Sequence, residues 1–125
     1  MEANDFVKDL NEAQELMRKE KYQEALVILG RLKEVDKDGN FDYNLTHKLY
    51  QLISNSQSLF NQQRVLSVIK KISQEQKLIS FKELREILKN QENLEIDEQV
   101  LRREVEILIL RSLLEVKLEG NDLVF

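Results

Sequence analysis

The side chains able to do chemistry are few, and their spacing is the first constraint on function. The single histidine, His47, lies between Thr46 and Lys48. A lone histidine on a helix is ordinarily a surface or packing residue, because acid–base work needs a second group held within hydrogen-bond reach. There is no cysteine, which removes thiol nucleophiles, thiolate metal sites and disulfides and fits a reducing compartment. Asp36, Asp38, Asn40 and Asp42 alternate as the first ligands of a calcium loop do. However, Gly39 falls at the fourth loop position instead of the sixth, and the twelfth holds His47 in place of glutamate, so the spacing rejects an EF-hand. Gly30, Gly39 and Gly120 are too far apart to build a phosphate-cradling loop. Carboxylate pairs abound, but among 23 acidic residues they carry no specificity. The expectation is a non-enzymatic chain with no catalytic residue, cofactor, metal or small-molecule substrate.

The distribution of basic residues bears on nucleic-acid binding. Residues 1–61 carry 8 basic and 11 acidic side chains, and residues 62–125 carry 11 and 12. Neither half has the cationic excess of a general nucleic-acid binder. Lys70-Lys71 with Lys77 and Lys82 form one basic cluster, read as a solvated helix end or a patch for an acidic partner. On the segment Asp97 to Ser112, Arg102, Arg103 and Arg111 are outnumbered by Asp97, Glu98, Glu104 and Glu106. Arg102 and Arg103 are expected to pair with glutamates at helical spacing.

The elements that position these residues follow from hydrophobic period. The chain has no proline, so its helices end at glycines, caps and polar clusters. Phe6, Leu10, Ala13 and Met17 make one face of a helix that breaks at Lys19-Glu20-Lys21. Tyr22, Ala25, Leu26, Leu29, Leu32 and Val35 make a second, ending in the turn cluster Asp36–Asn40. These two should fold back as a hairpin. Gly30 is either tolerated inside the second helix or lets another helix approach closely. A third helix is signalled from Leu45 to Phe60, with Asn61-Gln62-Gln63 read as a joint. Beyond the joint, Val65, Leu66, Ile69 and Ile72 predict a short helix and Leu78-Ile79 a short strand. Ser80-Phe81-Lys82-Glu83 is a capping box opening a helix with Leu84, Ile87 and Leu88. Ile96-Asp97 reads as a staple and N-cap for a helix carrying Val100, Leu101, Val105 and Leu108. The period then changes to two over Leu114, Val116 and Leu118. Gly120-Asn121 forms a tight turn and Leu123-Val124-Phe125 a returning strand. The order helix, strand, helix, helix, strand, strand predicts a winged helix with a small β-hairpin wing.

The run Ile79 to Leu88, with Val105-Glu106-Ile107-Leu108-Ile109 and Leu114 to Gly120, resembles the winged helix of PCI-type scaffold proteins over roughly residues 62–125. These are subunits of the proteasome lid, the signalosome and translation initiation complexes. Lys21-Tyr22-Gln23-Glu24-Ala25-Leu26 resembles the second half of a tetratricopeptide (TPR) repeat, although Ala13 and Asp9 stand where that repeat has glycine and tryptophan.

The fold expected is therefore mostly α: a TPR-like hairpin plus a third helix over residues 1–61, then a winged-helix domain over residues 62–125. The resemblance implies a scaffold or adaptor subunit whose partners are other protein chains or a second copy of itself. The alternative is a winged helix-turn-helix DNA-binding regulator, which the charge balance disfavours. The mixed polar face of residues 6–20 argues against a membrane surface, and no apolar run approaches a membrane span. The chain reads as soluble and cytoplasmic. Partner contact is assigned to Val27 and Ile28 on the arm, and to Arg102, Arg103, Glu106, Lys117 and Phe125 around the last helix and wing. Val7, Leu16 and Leu110 widen the apolar faces beside them, and the returning strand is expected to offer an exposed edge.

Overall fold

The computed structural model describes residues 1–39 and 41–125. Its described residues form five helices and one three-stranded antiparallel sheet. The chain divides into two compact units, Met1–Phe60 and Asn61–Phe125.

In the first unit α1 (Ala3–Arg18) and α2 (Tyr22–Asp38) pack against each other. They are joined by a turn in which the Lys21 amide returns to the Leu16 carbonyl at 2.9 Å and the Glu20 amide to Met17 at 3.0 Å. This bonding pattern satisfies carbonyls left over at the helix end and requires a left-handed residue. That residue is Glu20, at φ 60°. Phe6, Leu10 and Ala13 of α1 meet Ala25, Ile28, Leu29 and Leu32 of α2 in one core. Leu49 and Leu52, from the first half of α3 (Tyr43–Ile72), complete it. The Phe41 ring lies on Phe6 with centroids 4.5 Å apart, and a Cβ at Gly39 would run into that ring. Gly39 is therefore needed for close approach. Gly30 has nothing within 4 Å of the place its Cβ would take, so no helix approaches there and the residue is only tolerated. Of the expected turn cluster, Asp36–Asp38 finish α2, and Asn40 lies outside the described residues.

The second unit takes the far end of α3, then β1 (Leu78–Ser80), α4 (Phe81–Gln91), α5 (Glu98–Leu110), β2 (Lys117–Glu119) and β3 (Asp122–Val124). Ser80 caps α4 as its capping box predicts: its Oγ accepts the Glu83 amide at 3.1 Å. Asp97 caps α5 by accepting from Gln99 and Val100. Ile79, Phe81, Leu84, Leu88, Leu101, Val105, Leu108 and Leu123 make its core, with Val65, Val68 and Ile69 from α3. Ile96 is buried in the same core as Leu101. The loop closing the β2–β3 hairpin is Gly120-Asn121, with positive φ at Gly120.

Three expectations are corrected. The helix does not break at Asn61-Gln62-Gln63, where the second unit begins: α3 runs unbroken for 30 residues. No glycine or proline stands there to stop it, and Asn and Gln cost a helix only about 0.2–0.7 kcal/mol each. Asn61 and Gln62 are instead buried, with Gln62 Oε1 accepting from Arg111 at 2.6 Å. The alternating strand from Leu114 is only Lys117–Glu119, because β3 offers three register partners. The returning strand is not an edge, since the sheet order is β1-β3-β2 and β3 is bonded on both sides. Among the described residues, no helix is long and apolar enough to cross a membrane.

Candidate functional site

Arg102 sits on α5 with its guanidinium 4.4 Å from the centroid of the Phe81 ring. Its Nη2 donates to the Gly120 carbonyl at 2.8 Å and to Asn121 Oδ1 at 3.2 Å. Asn121 in turn accepts the Phe81 amide through its backbone carbonyl at 2.9 Å. Arg102 thus ties the last helix to the β2–β3 turn and to the first residue of α4, and its partner is not a helical glutamate. Arg103 does meet a glutamate: its Nη2 lies 3.4 Å from Glu104 Oε1. Glu104 is fully buried, so of the four acidic residues of the segment Asp97 to Ser112 it is the one withdrawn from the outer face of α5. Arg111 is turned to Gln62.

Ile28 is corrected from partner contact to core. At 6% exposure it packs with Ala25, Leu29 and Leu32, the i, i+3, i+4, i+7 set that one helix face buries. Val27, one position away, is 60% exposed. Leu16 is also drawn onto the arm core, whereas Val7 remains exposed. In the second unit Glu106 and Lys117 are exposed, and Phe125 is half-buried against the core.

The structure brings some of these residues into one neighbourhood. Glu106 lines an open groove of about 430 Å³ with Ile109, Leu110, Val116 and Leu118. Lys117 and Phe125 line an adjacent groove with Glu115, Val116 and Val124. The two share Val116, and β2 gives Leu118 to the first and Lys117 to the second. Leu110 is 83% exposed, and Leu113, just after the helix, is 44% exposed. A leucine left in water forgoes roughly 1.5–3 kcal/mol of burial, which makes this the strongest apolar feature of the unit's surface. In the sequence Leu110 stands only as a flank of the apolar face, and nothing there marks Leu113. The signal was the run Ile107 to Leu110, four consecutive apolar residues of which a helix can bury only part.

The other candidate chemistry is already engaged within the first unit. Asp36 Oδ1 accepts from Thr46 Oγ1 at 2.7 Å, and Asp42 Oδ1 accepts the Asn44 amide at 2.7 Å. His47 stacks on Tyr43 with ring centroids 5.9 Å apart.

No protein-family model, curated protein or solved structure matches the chain.

Proposed function

We propose that this chain is a non-enzymatic protein–protein adaptor, a subunit of a multi-protein complex working in the cytoplasm. It is built as a short TPR-like helical arm followed by a winged helix of the PCI type. The observation that carries the reading is Leu110, 83% exposed beside an apolar groove of Ile109, Val116 and Leu118. Contiguous exposed apolar surface of this kind marks partner contact. The winged-helix reading is supported by the order of elements from the end of α3 onward and by β3 lying between β1 and β2. The repeat-like reading is supported by Ala25, fully buried where α1 and α2 meet. The α5 surface is a poor match to DNA: its first turn opens on Asp97 and Glu98, and Arg102 is committed to the wing turn. Binding that depends on releasing phosphate counterions needs free cations at that place.

The test uses affinity capture with the full chain and its Leu110→Asp variant, beside titration of a random-sequence duplex at low and moderate salt. The wild type should retain a protein at fixed stoichiometry that Leu110→Asp loses, with no salt-sensitive DNA binding. Duplex binding that falls steeply with salt and disappears in Arg103→Ala, together with capture unaffected by Leu110→Asp, would replace the adaptor with a DNA reader.

A further inference from the structure

Resting on the adaptor reading, we infer that one partner is a second copy of the chain, joined through the free edge of β2 into a six-stranded sheet across a two-fold axis. The Phe125 amide bonds Lys77 and the Asn121 carbonyl takes the Phe81 amide, so residues 121 and 125 point toward β1. Antiparallel strands alternate, so Asp122 and Val124 point toward β2. Their register partners, Glu119 and Lys117, therefore direct their amides and carbonyls to β3. Leu118, between them, directs its own outward. Among the described residues no strand pairs with that side of β2.

The charges along β2 select what fits there. A parallel copy in register places Lys117 against Lys117 and Glu119 against Glu119. An antiparallel copy centred on Lys117 places Lys117 on itself and Glu115 on Glu119. Like charges directly opposite destabilise a strand pair. An antiparallel copy centred on Leu118, the middle of the strand, places Lys117 of each chain opposite Glu119 of the other. The two Leu118 residues then exchange their outward amides and carbonyls. Both Lys117 and Glu119 are exposed and ready to meet such partners. Leu118 lies on the same groove as Leu110 and Val116, so the axis brings apolar groove against apolar groove. The other edge strand, β1, has no such order: centred on Ile79, it sets Leu78 against Ser80.

The experiment is solution mass by light scattering over a concentration series for the wild type, Lys117→Glu, Glu119→Lys and the double exchange K117E/E119K. Circular dichroism melts confirm that each is folded. Each single reversal puts two like-charged pairs across the axis, and the double exchange restores two opposite pairs. The wild type and the double exchange should dimerise. Each single reversal should weaken dimerisation by about tenfold or more, with the gap narrowing as salt rises. A wild-type monomer at every concentration overturns the inference. So does a dimer indifferent to the single reversals, or one that the double exchange fails to restore. A monomer that still captures a different protein through Leu110 ends the self-pairing and leaves the adaptor standing, whereas a monomer that captures nothing ends both.

Discussion

The Arg102 guanidinium is held by a ring, a carbonyl and an amide oxygen at once. It bridges three segments that are far apart in sequence: the start of α4, the body of α5 and the β2–β3 turn. Hydrogen bonds from a charged donor contribute about 1.5–3 kcal/mol when buried and less when solvated, and a cation over a ring adds about 0.5–1 kcal/mol at a wet site. Arg102→Ala should therefore lower stability by roughly 1–2 kcal/mol, read as a shift of the urea midpoint. Arg102→Lys keeps the charge but not the planar fork and should recover less than half of the loss. Equal stability of all three proteins would mean that the β2–β3 turn holds its place without the arginine. Sequence spacing could not have found this role. It located Arg102 on the exposed side of α5 and assigned it helical glutamates, because the residues it actually meets are 18 and 19 positions away.

Two helix ends in this chain, those of α1 and α5, depend on left-handed residues that are not glycine. Glu20 closes α1 and Ser112 closes α5 with the same pair of backbone bonds, Lys21 to Leu16 in one case and Leu113 to Leu108 in the other. A left-handed conformation costs a residue with a Cβ about 1–2 kcal/mol, part of which glycine gives back through its greater freedom in the unfolded chain. Glu20→Gly and Ser112→Gly should each raise stability by about 0.5 kcal/mol. Asn93, also left-handed at φ 52°, is a residue type that tolerates this region, so Asn93→Gly should gain little. Thermal melts of the three variants check the order, and an equal gain at all three positions would contradict it. The Lys19-Glu20-Lys21 break was legible because the apolar period stops there. The caps Ser80 and Asp97 were legible because capping is local chemistry written within a few residues. The continuity of α3 was not legible. Polarity at Asn61 and Gln62 imitates a break, and what buries Gln62 includes Arg111, 49 positions downstream. Ile28 was misplaced for a related reason: Tyr22, Leu26 and Val35 pulled the inferred stripe off the tighter set that the structure buries.

At the scale of the whole chain, α3 supplies residues to two hydrophobic cores that share no member: Leu49 and Leu52 to the first, and Val65, Val68, Ile69 and Ile72 to the second. Apart from α3, each core is closed by its own elements, and each has its own set of fully buried side chains. Helix hydrogen bonds propagate cooperatively but weakly over short lengths. The protection of any stretch of α3 should therefore follow the core on which it packs. Leu29→Ala removes a fully buried side chain from the first core, a change that costs about 2–5 kcal/mol. Native-state hydrogen exchange should show that loss in α1, α2 and the early turns of α3, with amides faster by at least about thirtyfold at 2 kcal/mol. Amides of Val65 to Ile72 should keep their wild-type rates. The reciprocal variant, Leu101→Ala, should speed exchange in α4, α5 and the last turns of α3, leaving α1 and α2 unchanged. If either substitution accelerated every slow amide by the same factor, the chain would be one cooperative unit despite its two cores. The long helix would then be transmitting stability from one end to the other. If the two patterns stay separate, the first unit can loosen while the groove at β2 and the end of α5 keeps its shape, and a partner seated on that groove should protect only the second set of amides.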